Sequence, residues 1–260
     1  MSLEFDGTVA NIFHCSADNV GDQMSGPAQY LWPAKTTNHP IPPRRDAIEC
    51  YSKNVILGGG QIFGQLADVM SKVLESQARA KMVAWGVGLP LQGTNDNLVK
   101  GIAGYFSLFG TRNYEWKDEL NFVPCASCLA RCFDQVPLPT NDLVFYVHRR
   151  KGTRLEVPDG APVMSNAWCT PQHVIDFIAS GDTVVTSSYH GVYWAQLLGR
   201  KVICLPYNAK FKTFQHPPTV ADASNWQEHV SKARRTHPLL EEYRALNLSF
   251  AMKVAEVYVG

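Results

Sequence analysis

No apolar run of about 18 residues or more occurs in this 260-residue chain, so no membrane-spanning helix is expected. Neither sign of charge is in excess: 24 basic and 23 acidic residues leave a net charge of +1. That balance gives no general pull toward nucleic acid or an anionic membrane. There is no internal repeat and no low-complexity segment. The opening MSLEFDGTVANIFHC carries acids at Glu4 and Asp6 and no basic region ahead of an apolar stretch, so it does not read as a signal peptide and a cytoplasmic protein is expected. No Gly-Lys-Ser/Thr follows a glycine loop and no G-x-S-x-G elbow is present, which argues against a P-loop and a serine hydrolase. The low hydrophobicity of a disordered chain is missing too, with 45% hydrophobic and 18% charged residues. A globular chain of this size buries about 70–75% of the surface its unfolded form exposes. At ~150 residues per domain the length suggests two domains or one large one.

The seven cysteines are an odd number, mostly in apolar or strand-like contexts, which fits a reducing compartment better than a disulfide framework. Cys125, Cys128 and Cys132 form a C-x-x-C-x-x-x-C cluster. A closed zinc site needs four ligands, and no C-x-x-C or H-x-x-x-H partner lies nearby, so packed or loop thiols are favoured over a metal or redox centre. The sequon at Asn247 falls in a helical pattern of a chain without an export signal and is discounted.

Short apolar runs alternate with helical patterns. Strands are expected at 9–15, 54–57, 81–85 and 105–109, and again at 143–148, 161–164, 183–186 and 201–205. Several, such as VVTS and KVICLP, are apolar throughout, as parallel strands covered on both faces are. Leu66, Val69, Met70, Val73 and Leu74 make one helical stripe. Thr170-Pro171 opens a helix that Gly181 closes, Val192–Leu198 makes another, and residues 224–235 and 238–259 read as helical. The alternation implies an α/β fold with right-handed crossovers. The Pro-rich stretch 136–141 reads as a linker. It divides the chain into domains 1–138 and 139–260, with the last helix able to cross back. Two doubly wound units would face each other across a cleft, with ligands outside the carboxyl ends of the strands.

Six strand-end segments can carry chemistry there. In Asp18-Asn19-Val20-Gly21-Asp22, Gly21 permits a close approach, and Asp22 reads either as a helix cap or as a functional acid. Gly58-Gly59-Gly60 could turn tightly or present N–H groups to an anion, and Gly86-x-Gly88 reads as a turn or a backbone approach. His148-Arg149-Arg150-Lys151-Gly152, with Arg154 nearby, gathers cations at one strand end, where they suit a carboxylate or phosphate. Ser187 and Ser188 lie at a helix start, where hydroxyls and N–H groups can hold phosphate oxygens, and His190 beside them is either a structural histidine or an acid–base residue. Lys210 is either a surface lysine or a phosphate or sugar contact.

Taken in order, Asn19-x-Gly21-Asp22, Gly58-Gly59-Gly60, Gly86-x-Gly88, Thr111-Arg112 and SSYHGVYWAQLLGRKVICLPYNAKF resemble the polysaccharide pyruvyl transferase family, from about Asn19 to Phe214. The resemblance implies two Rossmann-like halves facing across a cleft in the GT-B manner. It implies transfer of the pyruvyl group of phosphoenolpyruvate to a sugar, usually as a ketal on two hydroxyls. By resemblance Arg149 or Arg150 would hold the donor's carboxylate or phosphate, and His190 would be the acid–base residue. Ser188 stands where the family commonly has Arg, so Arg149, Arg150, Lys151 or Lys210 would supply the missing anion contact. Asp22 would take the hydroxyl proton. No metal or cofactor beyond the donor is implied, and the acceptor would be a saccharide, lipid-linked or nucleotide-linked. Two alternatives stay open. One is a GT-B glycosyltransferase using a nucleotide sugar, with Asp222 and Glu228 as candidate acids. The other is a non-catalytic sugar-binding relative, which Ser188 would favour.

Overall fold

A computed structural model describes residues 3–151 and 155–260. Gly152 and Arg154 of the basic segment lie outside the described residues. The chain forms two compact units. The first contains residues up to Ala17, Asp22–Leu129 and Tyr243–Gly260; the second contains Asp18–Gly21 and Ala130–Glu242.

The first unit holds six parallel strands: β1 (Val9–Phe13), β2 (Thr36–Pro40), β3 (Asn54–Leu57), β4 (Lys81–Val87), β5 (Leu108–Thr111) and β6 (Asn121–Phe122). Their order across the sheet is β2-β1-β3-β4-β5-β6. Registers such as Val9↔Asn54 and Asn54↔Lys81 align the strand starts, so their carboxyl ends form one edge. Strands β1 and β3 are buried at every residue, the reason they read as unbroken apolar runs.

Helices cover both faces. Short α1 (Val20–Gln23) and α2 (Ala28–Leu31) follow β1, α3 (Phe63–Ser76) follows β3, and α4 (Asp96–Ala103) follows β4. On one face Leu66, Val69 and Val73 of α3 pack with Ile12, Leu57 and Ala84. On the other, Phe250 and Val254 of the last helix, α7 (Leu240–Val259), pack with Ile56, Val83 and Trp85. Each such side chain contributes about 1.5–3 kcal/mol by burial. Asn247 of the expected sequon is buried within this layer, where its Oδ1 accepts the Trp85 indole N–H at 2.9 Å and its Nδ2 donates to the Tyr243 carbonyl at 2.9 Å.

The second unit has five parallel strands: β7 (Asn141–Val147), β8 (Val163–Ser165), β9 (Gly181–Thr186), β10 (Lys201–Cys204) and β11 (Thr219–Val220), in the order β11-β10-β9-β7-β8. The chain winds away from β7 in both directions, so the order reverses between β7 and β9. Ligands of open α/β sheets bind outside the carboxyl ends at such a reversal. Helix α5 (Pro171–Ser180) starts where the sequence puts it, with Thr170 accepting the His173 N–H at 3.3 Å. Helix α6 (Tyr189–Leu197) is buried at every residue, so it has no polar face.

Several expectations are corrected. Strand β4 runs past Trp85 to Val87, and β5 begins at Leu108 rather than 105. Residues 224–235 hold only a 3-10 segment, Trp226–Lys232, instead of an α-helix. The stretch 136–141 is no free linker: Pro137 accepts from Arg200 at 3.0 Å and β7 already starts at Asn141. The chain passes between units after Leu129. Helix α1 is not capped by Asp22, which lies within its first turn; Asn19 Oδ1 accepts the Gly21 N–H at 3.1 Å instead. Among the described residues no helix is long and apolar enough to cross a membrane.

Candidate functional site

In the second unit, the loop after β7 places His148, Arg149, Arg150 and Lys151 along a cavity of about 440 Å3. Ser187 just after β9, Leu205 and Pro206 just after β10 and Asp222 just after β11 share it. The cavity therefore opens at the carboxyl edge of the sheet, beside the reversal between β7 and β9. Backbone bonds fix the basic loop: the His148 N–H reaches Ser187 Oγ at 3.0 Å, and the Arg149 N–H reaches Asn166 Oδ1 at 2.9 Å. Both guanidinium groups meet one carboxylate, with Asp18 Oδ2 at 3.4 Å from Arg149 and 2.6 Å from Arg150. These half-exposed pairs are screened by salt and leave the cations open to exchange for another anion.

Asp18 belongs to a four-residue strap that the second unit holds against itself. Asn19 pairs with Ala167, the Val20 N–H donates to the Asn166 carbonyl at 3.1 Å, and Gly21 presses on the His190 ring. Three residues of chain span at most about 10 Å, which bounds the distance from the Asp18 backbone to the Gly21 backbone beside His190. His190 is only 5% exposed and lies 5.2 Å from the Trp194 ring. It does not line the cavity. Ser188 does not line it either, because its hydroxyl caps α6 by accepting the Gly191 N–H at 3.4 Å. Lys210 donates to the Tyr207 hydroxyl at 2.6 Å and sits among the Tyr207, Phe211 and Tyr189 rings. Burial of the nearby Cys204 thiol pushes its pKa up to about 12, although the Lys210 charge works the other way.

The structure thus brings Arg149, Arg150, Lys151 and Ser187 to one cavity, and carries Asn19, Gly21, Ser188, His190 and Lys210 on the same unit. Asp22, Gly58, Gly59, Gly60, Gly86 and Gly88 belong to the first unit. There the glycine loops turn at the carboxyl ends of β3 and β4. Gly59 donates to the Ser25 carbonyl at 3.1 Å, and Gly88 donates to the Gly60 carbonyl at 2.8 Å. Gly88 leaves room for a buried guanidinium: a Cβ there would meet Arg112 Nε at 3.0 Å. Arg112 donates to Gln61 Oε1 at 3.4 Å, and Gln61 in turn donates to the Gly88 carbonyl at 3.1 Å. Burial raises the Cys125 thiol pKa; Ser127 and the Arg112 charge oppose this, and the Asp22 charge adds to it. Arg112 enters the sequence analysis only through the resemblance and Gln61 not at all, although an Arg directly after a buried strand is a signal for the pair. Asp18 as a partner of the arginines, and Trp168, whose indole Arg149 overlies at 5.4 Å, carry no local signal in the sequence.

A family model described as polysaccharide pyruvyl transferase matches residues 19–209. The chain belongs to that family. The match covers most of the chain and takes in both units, from the strap to Lys210's neighbour Ala209. No curated protein matches the chain. Among solved structures, it is similar to a functionally uncharacterised protein of Klebsiella pneumoniae subsp. pneumoniae, with 16% identity, coverage of 83% of this chain and 92% of that one, and a TM-score of 0.45. It is also similar to a Listeria monocytogenes protein provisionally titled a UDP-N-acetylglucosamine 2-epimerase, with 10% identity, coverage of 98% and 91%, and a TM-score of 0.41. Among the described residues of this pyruvyl transferase family member, no cluster of three or more His, Cys, Asp or Glu could hold a metal ion.

Proposed function

We propose that the chain moves the pyruvyl group of phosphoenolpyruvate onto a saccharide of a polysaccharide or its precursor, forming a pyruvate ketal. The observation that carries this reading is the cavity edged by Arg149, Arg150 and Lys151 at the sheet's order reversal. The donor bears a carboxylate and a phosphate, and several guanidinium and ammonium groups at one strand end suit both. Ser187 and Lys210 complete the donor set, Ser188 serving as the cap of α6, and family membership supports the transferase class.

The chemistry follows from the donor. A proton passes from His190 to the methylene carbon, which becomes the methyl group, and the central carbon gains cationic character. A sugar hydroxyl adds there as its proton passes to Asp22. The C–O bond to phosphate then breaks, the phosphate leaves with the bonding pair, and a second hydroxyl closes the ketal as its proton passes to the departing phosphate. Arg149, Arg150 and Lys151 hold the leaving phosphate's charge throughout. In this reading both units are Rossmann-like halves of the GT-B kind: the first, with residues up to Ala17, Asp22–Leu129 and Tyr243–Gly260, serves the acceptor, and the second, with Asp18–Gly21 and Ala130–Glu242, serves the donor. The glycine loops at Gly58–Gly60, Gly86 and Gly88 serve the acceptor. The enzyme works in the cytoplasm without a further cofactor, on a lipid-linked or nucleotide-linked acceptor.

One observation favours a second reading, a glycosyltransferase using a nucleotide sugar. Asp222 lines the same cavity, and its carboxylate suits the hydroxyls of a ribose. The donors separate the two. Inorganic phosphate released from phosphoenolpyruvate in the presence of a saccharide supports pyruvyl transfer, and nucleoside diphosphate released from a nucleotide sugar supports the alternative. His190→Ala and Arg149→Ala should each lower turnover at least ~100-fold. Unchanged turnover in both would remove the site assignment.

A further inference from the structure

Five of the six tryptophans, Trp32, Trp85, Trp116, Trp194 and Trp226, are buried, whereas Trp168 is 77% exposed. Trp168 is also the non-glycine residue with a positive φ, 60°, among the described residues. A bulky side chain in the left-handed region costs free energy, and such a conformation persists where its surroundings impose it and often where a site needs it. The surroundings here are tightly tied. Asn166 accepts N–H groups from Val20 on its carbonyl and from Arg149 on its side chain. Ala167 pairs with Asn19, and the Trp168 N–H reaches the Asp18 carbonyl at 3.4 Å. The Cys169 thiol donates to the Ala167 carbonyl at 3.3 Å.

The tied backbone therefore presents an indole to solvent, with little burial to stabilise it. Arg149 lies 5.4 Å from the ring and also lines the cavity, so the indole stands beside one of the cavity's lining residues. A flat aromatic surface beside guanidinium and carboxylate groups suits a ligand with an apolar face and a polar edge. A pyranose has that form, with C–H bonds on one face and hydroxyls around it. We infer that Trp168 is the stacking platform for a pyranose ring of the acceptor, setting it at the mouth of the arginine-edged cavity. The inference rests on the saccharide acceptor of the proposed function, and gives that acceptor a binding residue which the sequence did not indicate.

The test uses the full chain, its Trp168→Ala and Trp168→Phe variants, and methyl glycosides of glucose, galactose, mannose and N-acetylmannosamine as probes. Acrylamide quenching reads the exposed indole, and saturation-transfer NMR reads binding and the sugar face in contact. A glycoside should protect the quenchable fluorescence of the wild-type chain, and that fraction should be missing from both variants. Trp168→Ala should weaken binding at least about fivefold, with Trp168→Phe recovering part of the loss, because the phenyl ring keeps a smaller stacking face. Both variants should melt with the wild-type chain, since the side chain buries little. Unweakened binding in Trp168→Ala, or no protection by any of the glycosides, would overturn the inference. Protection without phosphate release from phosphoenolpyruvate would leave the platform standing and remove the donor reading; phosphate release without protection would do the reverse.

Discussion

Replacing Gly21 by Ala tests how closely the strap is fitted to His190. A Cβ at Gly21 would lie 2.5 Å from His190 Cγ and 2.9 Å from Cε1, and closer still to Nδ1. Carbon contacts relax at about 3.5–4.0 Å, so the strap or the ring must give by about 1 Å. Neither gives easily. The strap is tied by the Asp18 ion pairs and the bridge from Asn19 to Ala167, and the ring is backed by Trp194. Overpacking of this kind costs about 1–3 kcal/mol. Urea denaturation followed by circular dichroism reads that loss. Gly64→Ala is the control, because a Cβ there meets nothing within 4 Å and alanine favours the helix by about 0.5–1 kcal/mol. Turnover reads the same displacement chemically: a proton donor misplaced by about 1 Å loses about 100-fold. A Gly21→Ala chain as stable and as active as wild type would refute both the close fit and the role given to His190.

Asp18→Asn removes the carboxylate that both arginines share, so affinity for phosphoenolpyruvate should rise about two- to fivefold at low salt and the gain should shrink as salt is added. Calorimetric titration at two ionic strengths checks this, and weaker binding would contradict it. Asn247→Ala strands the buried Trp85 indole N–H and should cost about 2–4 kcal/mol in denaturant melts. Alkaline pH should also destabilise the fold. The Cys204 thiol keeps its proton in the folded chain up to about 12, whereas the unfolded chain loses it near the ordinary value of 9.0. Between those values the folded state binds more protons, so stability falls as pH rises. Melts across that window should show the fall, and Cys204→Ala should lessen it, the buried Cys125 and Tyr258 keeping the remainder.

The sheet cores were legible because parallel strands covered on both faces need unbroken apolar runs; Asn54–Leu57 and the strand from Lys201 show it. Strand β2, with the sequence TTNHP, was not, because an edge strand half in solvent carries no apolar signature and this one ends in proline. The 3-10 segment at Trp226–Lys232 misled for another reason: only Trp226 is buried, so no stripe holds a full helix. At the site, position along the chain gave away what strand ends present, hence Arg149, Arg150, Lys151 and Ser187. Long-range partners stayed hidden. Asp18 meets the arginines 131 and 132 residues away, and the hydroxyl of Ser188, read as a phosphate contact, goes to a helix cap. Trp168 was silent because nothing in the sequence forces a tryptophan into left-handed backbone.

Diffusing phosphoenolpyruvate into crystals of the protein addresses the donor assignment most directly. The account predicts density for one donor molecule in the second unit, its anionic oxygens about 2.7–3.2 Å from the Arg149 and Arg150 guanidinium nitrogens and its methylene carbon toward His190. A donor seated away from all three residues, or those residues left without it at saturating concentration, would contradict the account.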